Sequence, residues 1–126
     1  MKALQIIESA YRCTIEEQDD PAVWITHAMK GAGAELDVLL RGNAVNYVLT
    51  GQDASGLSFG ARQQTNPPQL EHDIAKLIEK GVEVYVVEED MDSRGLSSVE
   101  TIPGIRKMNK QGLPALFDRY DQVWHW

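Results

Sequence analysis

The chain has 126 residues, a net charge of -7, 43% apolar residues and 25% charged residues. This length predicts a single domain over residues 1–126, and the ordinary composition excludes disordered, collagen-like and coiled-coil classes. The acidic balance argues against a nucleic-acid partner, and no apolar run reaches the roughly 20 residues that would span a membrane. The first residues do not have the apolar stretch of a secretory signal, and the single cysteine suits a reducing compartment, so we expect a cytoplasmic protein.

The first third of the chain reads as a strand, a helix and a second strand. Residues 3–7 form an isoleucine-rich apolar run, which predicts a strand buried on both faces. Asp20 and Pro21 provide a cap and a first-turn proline, and they predict a helix that ends at Gly31 or Gly33. Another apolar run predicts the second buried strand over residues 36–40.

The middle of the chain combines short helices with a polar loop. Residues 43–49 have apolar spacing for a short helix, and residues 50–65 read as a surface loop held down by Leu57 and Phe59. Asn66 followed by proline repeats the helix-start signal.

An apolar helical stripe then runs over residues 70–78, where apolar residues recur at i, i+4, i+7 and i+8, and it ends at Gly81. Residues 82–87 are β-branched and nearly continuous, which predicts a third strand.

After a polar stretch over residues 88–100, the chain predicts a last helix near Pro114 and a terminal strand over residues 122–126. Alternation within that strand places Trp124 and Trp126 on one face. Strands separated by helices imply parallel crossovers. We therefore expect an α/β fold, a flavodoxin-like three-layer α/β/α sandwich with a mostly parallel sheet of four to five strands.

Ligands bind such sheets beyond the carboxyl ends of the strands. Three segments should meet there, residues 8–18, 41–46 and 88–94. None contains a P-loop or a dinucleotide fingerprint, and the three histidines have no metal-ligand spacing, so we expect neither a cofactor nor a metal. The acidic run over residues 88–92 is more typical of a solvated helix start than of a cation site.

Cys13 is the only cysteine, and it follows Arg12 directly. A neighbouring cation lowers the pKa of a thiol, which favours a nucleophile or a persulfide carrier. The alternative is a small buried hydrophobic residue.

Arg41, Asn43 and Asn46 follow the second strand. Arg41 could bind an anion while the two amides orient a polar ligand. Alternatively, Arg41 neutralises nearby acids and Asn43 caps the short helix.

The order of elements resembles the DsrE/DsrF/DsrH-like family, which includes the TusD, TusC and TusB sulfur-relay subunits and YchN-type proteins. Residues 4–33, 81–96 and 112–124 carry this resemblance. It implies a DsrE-like domain that assembles into trimers or hexamers and takes part in sulfur relay, with a protein partner for the sulfur. The cysteine that carries sulfur in active members follows the third long strand, where this chain has Val87 and Glu88.

The resemblance therefore leaves two functions open. In a sulfurtransferase-like carrier, Cys13 would hold a sulfane sulfur and Arg12 would favour its thiolate. In a non-catalytic binding or scaffold protein, the same edge would bind an anion or a small molecule without a covalent step. The ligand-binding positions expected at that edge are Glu8, Tyr11, Arg41, Asn43, Asn46 and Glu88.

Overall fold

The computed structural model of the chain describes residues 1–12, 20–52 and 56–126. Its strands are β1 (Lys2–Ile7), β2 (Glu35–Leu40), β3 (Ser58–Phe59), β4 (Arg62–Gln63), β5 (Val84–Val87), β6 (Arg106–Met108) and β7 (Gln122–His125). Its helices are α1 (Pro21–Gly31), α2 (Leu70–Glu79), α3 (Glu88–Asp92) and α4 (Leu113–Phe117), with 3-10 helices at Gly42–Val48 and Lys110–Gly112. None of these helices is long and apolar enough to cross a bilayer.

Five strands form one sheet in the order β6-β5-β2-β1-β7, and every neighbouring pair in it is parallel. From β1 to β6 each new strand is added on the same side, whereas β7 returns to the other side of β1. Because parallel crossovers are right-handed, a reversal of direction moves the connecting helix to the opposite face. This explains why α1 and α2 pack on one face and α4 packs on the other. The predicted α/β fold with a mostly parallel sheet is confirmed.

The buried strands alternate their side chains between the two faces, which we call the α1/α2 face and the α4 face. In β2, Val38 and Leu40 join the larger core cluster with α1 and α2, while Leu39 joins a smaller cluster with Leu116 of α4. Successive side chains of a strand point to opposite faces, so a strand that is apolar throughout can be covered on both sides. The sheet is therefore the middle of three layers, and the apolar cluster on its α1/α2 face is larger than the one on its α4 face.

The strong sequence signals were confirmed. Asp20 caps α1, its Oδ1 accepting hydrogen bonds from the amides of Ala22 at 2.8 Å and Val23 at 3.2 Å. The predicted short helix after β2 is a 3-10 helix. The amphipathic stripe of α2 buries Leu70, Ile74 and Leu77.

Two predictions in the middle of the chain were wrong, and one strand nearer the carboxyl terminus was missed. Helix α2 begins at Leu70 and not at Asn66; Pro68 disfavours the helical conformation in the residue before it. Leu57 and Phe59 do not hold the loop down, since they are 50% and 56% exposed beside the β3–β4 turn. Strand β6 was missed because Arg106–Met108 carries two basic residues and no alternating apolar pattern.

Candidate functional site at the carboxyl ends of the strands

The segments that follow β1, β2 and β5 meet at one edge of the sheet, as the sequence predicted. The amide of Ala44 donates to the carbonyl oxygen of Glu8 at 3.2 Å, and the amide of Gly42 donates to Asp90 Oδ2 at 2.8 Å. These bonds link the three segments directly. We call this edge, formed by Glu8, residues 41–46 and α3, the carboxyl rim.

Gly42 allows the close approach of the first two segments. Its φ is +57°, and a Cβ at this position would lie 2.9 Å from Glu8 Cγ and 3.3 Å from the Glu8 carbonyl oxygen. A side chain here would be strained by the backbone and would collide with its neighbour. The contact between Glu8 and the start of the 3-10 helix therefore depends on a glycine.

Glu8 is shared between two basic side chains. Arg41 Nε lies 3.8 Å from Glu8 Oε1, and His125 Nε2 lies 2.5 Å from Glu8 Oε2. His125 comes from β7, which pairs with β1 in parallel and places Ile6 opposite His125. Of the two interpretations of Arg41, the observed contact matches neutralisation of an acid.

Asp90 is the most connected carboxylate of the rim, although no individual role was predicted for it. Its Oδ2 accepts a hydrogen bond from the Gly42 amide. Its Oδ1 lies 3.2 Å from Lys110 Nζ. Burial alone would raise the pKa of Asp90, but the Gly42 hydrogen bond and the Lys110 ammonium outweigh it, so the pKa is lowered. The carboxylate thus stays ionised. It connects α3 to the segment after β2 and to the segment after β6.

The two amides support local structure. Asn43 Oδ1 accepts hydrogen bonds from Arg94 Nη2 at 2.9 Å and Nε at 3.3 Å, and Asn46 Nδ2 donates to the Asn43 carbonyl at 2.8 Å. The predicted cap by Asn43 is wrong, because the capping position belongs to Arg41 and has no side-chain bond. Glu88, the half-buried first residue of α3, lies at this edge directly after β5.

Tyr47 was missed as a site residue, yet it organises the first segment. Its buried hydroxyl donates to Asp20 Oδ2 at 2.6 Å and accepts from the Arg12 amide at 3.4 Å. Tyr11 packs its ring 5.4 Å from the Tyr47 ring, and its hydroxyl contacts Gln52. One phenol therefore binds both Arg12 and Asp20.

Cys13, the predicted sulfur-carrying residue, lies outside the described residues. Its neighbour Arg12 is half-buried at the point where the described chain stops. Within residues 1–12, 20–52 and 56–126, no group of three His, Cys, Asp or Glu side chains could hold a metal ion.

His125 and Asp90 show what the sequence patterns did not reveal. His125 was assigned to the terminal strand, but its distance from Glu8 depends on β7 pairing with β1, which periodicity does not specify. Asp90 stood in an acidic run whose members look alike in sequence. The one available signal was its position just after a buried strand, where ligand-binding loops begin.

A parallel sheet covered on both faces, with polar side chains gathered at the carboxyl ends of its strands, defines the class as a small α/β sandwich protein. The sequence profile of the DsrE/DsrF-like family matches residues 13–125, and the chain belongs to that family. A solved structure, the YchN protein from E. coli, has a similar fold, with a TM-score of 0.72, 17% sequence identity and coverage of 100% of both chains. No curated protein matches the chain in sequence.

Family membership supports, at the level of the family, a function related to sulfur metabolism. The resemblance inferred from the sequence is thereby confirmed.

Proposed function

We propose that this protein is a cytoplasmic, DsrE-like sulfur carrier in which Cys13 holds a sulfane sulfur as a persulfide and passes it to a protein partner. The proposal combines family membership with the presence of one thiol in the chain, directly after Arg12. We further propose that the protein works as a homo-oligomer, a trimer or a hexamer.

The observation that carries this proposal is the anchoring of the peptide on either side of Cys13. Arg12 and Asp20 both bind the hydroxyl of Tyr47, which belongs to the 3-10 helix that starts at the carboxyl rim. The described residues on either side of the thiol, Arg12 and Asp20, are therefore tied to a helix that starts at the edge where parallel α/β sheets bind their ligands.

The transfer step is redox-neutral. The Cys13 thiolate attacks the outer sulfur of a donor persulfide, a new S–S bond forms at Cys13, and the donor S–S bond breaks to release the donor thiolate. Passing the sulfur to an acceptor thiolate repeats the same exchange in reverse. Arg12 would favour the thiolate that begins each step, because a neighbouring cation stabilises the charged form.

The remaining rim residues would shape and fill the acceptor site. Glu8 and Tyr11 would hold the first segment, consistent with the contacts of Glu8 to Arg41 and of Tyr11 to Gln52. The acceptor or an anion would be bound by Arg41, Asn43, Asn46 and Glu88.

Mass spectrometry tests the covalent step. After incubation with a small-molecule persulfide, we expect a mass increase of one sulfur atom on Cys13 that dithiothreitol removes, and no increase in Cys13→Ala. Arg12→Ala should slow the modification, whereas Arg62→Ala, a matched change in the exposed β4 strand, should not. A wild-type chain that stays unmodified would rule out the carrier role.

A binding or scaffold function without covalent chemistry is the second candidate, and the internal pairing of the rim favours the scaffold over a ligand-binding pocket. Arg41 contacts Glu8 and Arg94 contacts Asn43, so a ligand would have to compete with partners already in place. Maleimide labelling separates the two functions: a native protein in which Cys13 resists both maleimide and persulfide would be a binding or scaffold protein.

A further inference from the structure

A crevice of about 320 Å³ runs between helices α1 and α2. Three residues of α1 and four residues of α2 and its carboxyl-terminal cap line it, namely Val23, Trp24, His27, His72, Asp73, Lys76 and Lys80. None of them belongs to the carboxyl rim. Pockets for small molecules begin at about 300 Å³, so the crevice has room for a compound of one or two rings.

Trp24 provides the α1 side of this crevice with a large aromatic surface. The residue is 57% exposed, whereas its neighbour Val23, which forms the floor, is fully buried. Aromatic rings gain free energy when they stack or meet edge to face, so an exposed indole beside a concave surface favours a planar ring as its partner. The lining therefore offers a position for the apolar part of a ligand.

The α2 side of the crevice is basic. His72, Lys76 and Lys80 recur every four residues, a spacing that places side chains on one face of a helix. Lys76 is already paired with Glu79 at 2.8 Å. Lys80 forms no ion pair with a carboxylate in the part of the chain that the structure describes. The ammonium of Lys80 is therefore the cation that an anionic ligand could pair with.

His27 fixes the position of that ammonium. Lys80 Nζ lies 3.1 Å from His27 Nδ1, and His27 Nε2 lies 2.8 Å from the carbonyl oxygen of Asp73. An ammonium only donates and a carbonyl only accepts, so Nδ1 is the accepting nitrogen and Nε2 carries the proton. The imidazole thus bridges α1 and α2 and holds the ammonium at the crevice, using one of its three N–H donors.

We propose that the crevice binds a small planar aromatic carboxylate, with its ring against the indole of Trp24 and its carboxylate bonded to the ammonium of Lys80. One negative charge matches one available ammonium. A phosphate group is more often held by the two-pronged fork of an arginine, and the described lining contains no arginine. This site goes beyond the proposed sulfur chemistry, because its residues lie outside the carboxyl rim.

Isothermal titration calorimetry of the whole chain with 2-naphthoate tests the aromatic contact. We expect one saturable site in the wild type, and Trp24→Ala should weaken binding about fivefold, because the stacking partner is removed. Phe59→Ala, at another exposed aromatic residue, is the matched control and should not change the affinity. A wild-type chain that does not bind 2-naphthoate, or a Trp24→Ala protein that binds it as tightly as wild type, would overturn the proposal.

A neutral analogue, 2-naphthylmethanol, tests the charged contact. Lys80→Gln should weaken 2-naphthoate binding about threefold and leave the alcohol unaffected, because the alcohol has no carboxylate to pair with the ammonium. Lys30→Gln, in the last turn of α1 and outside the lining, should change neither affinity. Equal losses for both compounds in Lys80→Gln, or displacement of 2-naphthoate by inorganic phosphate, would contradict the assignment.

NMR locates the bound compound. The backbone amide shifts caused by 2-naphthoate should centre on α1 and α2, and shifts centred on the carboxyl rim or on the separate crevice beside Trp124 would overturn the proposal. Cys13→Ala should bind 2-naphthoate as the wild type does. A chain that fails the persulfide experiment can therefore still pass this one, and the two proposals stand or fall separately.

Discussion

The two faces of the sheet are closed by different chemistry. The α1/α2 face is covered by two long helices over an almost wholly apolar cluster that includes Ile74 and Leu77. The α4 face has a five-residue helix, and Leu116 is its buried contribution to the smaller cluster. The rest of that face is occupied by charged and phenolic side chains. A short helix thus leaves part of a sheet to be covered by polar groups that must bind one another.

That polar cover has two centres. Asp37, 2% exposed in β2, accepts hydrogen bonds from Tyr120 at 2.7 Å and from the Glu83 amide at 2.9 Å, and lies 2.9 Å from Lys2 Nζ. Glu83 contacts Tyr85 and two arginines, Arg106 at 3.1 Å and Arg119 at 3.5 Å. The buried Asp37 and the partly buried Glu83 are tolerated because these donors surround their carboxylates.

The largest effect should come from the apolar face. Leu77→Ala should cost about 4 kcal/mol of unfolding free energy, because it leaves a cavity between a long helix and the sheet. Leu116→Ala removes the same atoms under a short helix that can move inward, so we expect about 2 kcal/mol. Urea unfolding of both variants measures the difference. Equal losses would mean that the two covers are equally rigid.

Removing the central carboxylate of the polar face should be nearly as damaging. Asp37→Ala leaves the Tyr120 hydroxyl and the Glu83 amide without their acceptor, at a cost of about 3 kcal/mol in unfolding free energy. Asp118→Ala, at an exposed position after α4, is the control and should change stability by less than about 0.5 kcal/mol. If Asp37→Ala unfolded at the wild-type urea concentration, the network would contribute nothing to stability.

The smallest effect is a dependence on alkaline pH confined to the α4 face. Burial and the bond to Asp37 raise the pKa of Tyr120, burial and Glu83 raise the pKa of Tyr85, and the hydrogen bond to Asp37 raises the pKa of Lys2. A raised pKa in the folded state gives stability that is present below the unfolded pKa and is lost as pH rises through the folded value. For these groups, the loss begins near pH 10.

Urea unfolding between pH 8 and about 11 should therefore show stability falling at the alkaline end. Tyr120→Phe should flatten that fall, since it removes one of the titrating groups. An unchanged slope in Tyr120→Phe would show that the alkaline loss arises elsewhere in the chain.

The main strands and the first helix could be predicted from the sequence because their signals were local and strong. The apolar runs of β1 and β2 and the Asp20 cap each depend on neighbouring residues, and each was predicted correctly. Strand β6 has no such signal, because Arg106 and Lys107 belong to an exposed edge. The start of α2 was misplaced because Asn66 and the proline after it suggested a start there, whereas Pro68 disfavours the helical conformation in the residue before it.

The candidate site was predictable in place but not in detail. Parallel topology alone brings Glu8, Arg41 and α3 to one edge, and the structure has them there. Which side chains then pair depends on distances that no periodicity encodes. The contact of Glu8 with His125 joins residues 117 positions apart in sequence.

The hydroxyl of Tyr47 ties together two points of the chain that are eight residues apart in sequence. It holds the backbone before residues 13–19 through Arg12 and the helix cap after them through Asp20, and it belongs to the helix that begins beside Arg41. Because the same hydroxyl bonds both residues, a shift of this helix would move Arg12 and Asp20 together. The positions of Arg12 and Asp20 are thereby coupled through a single oxygen atom.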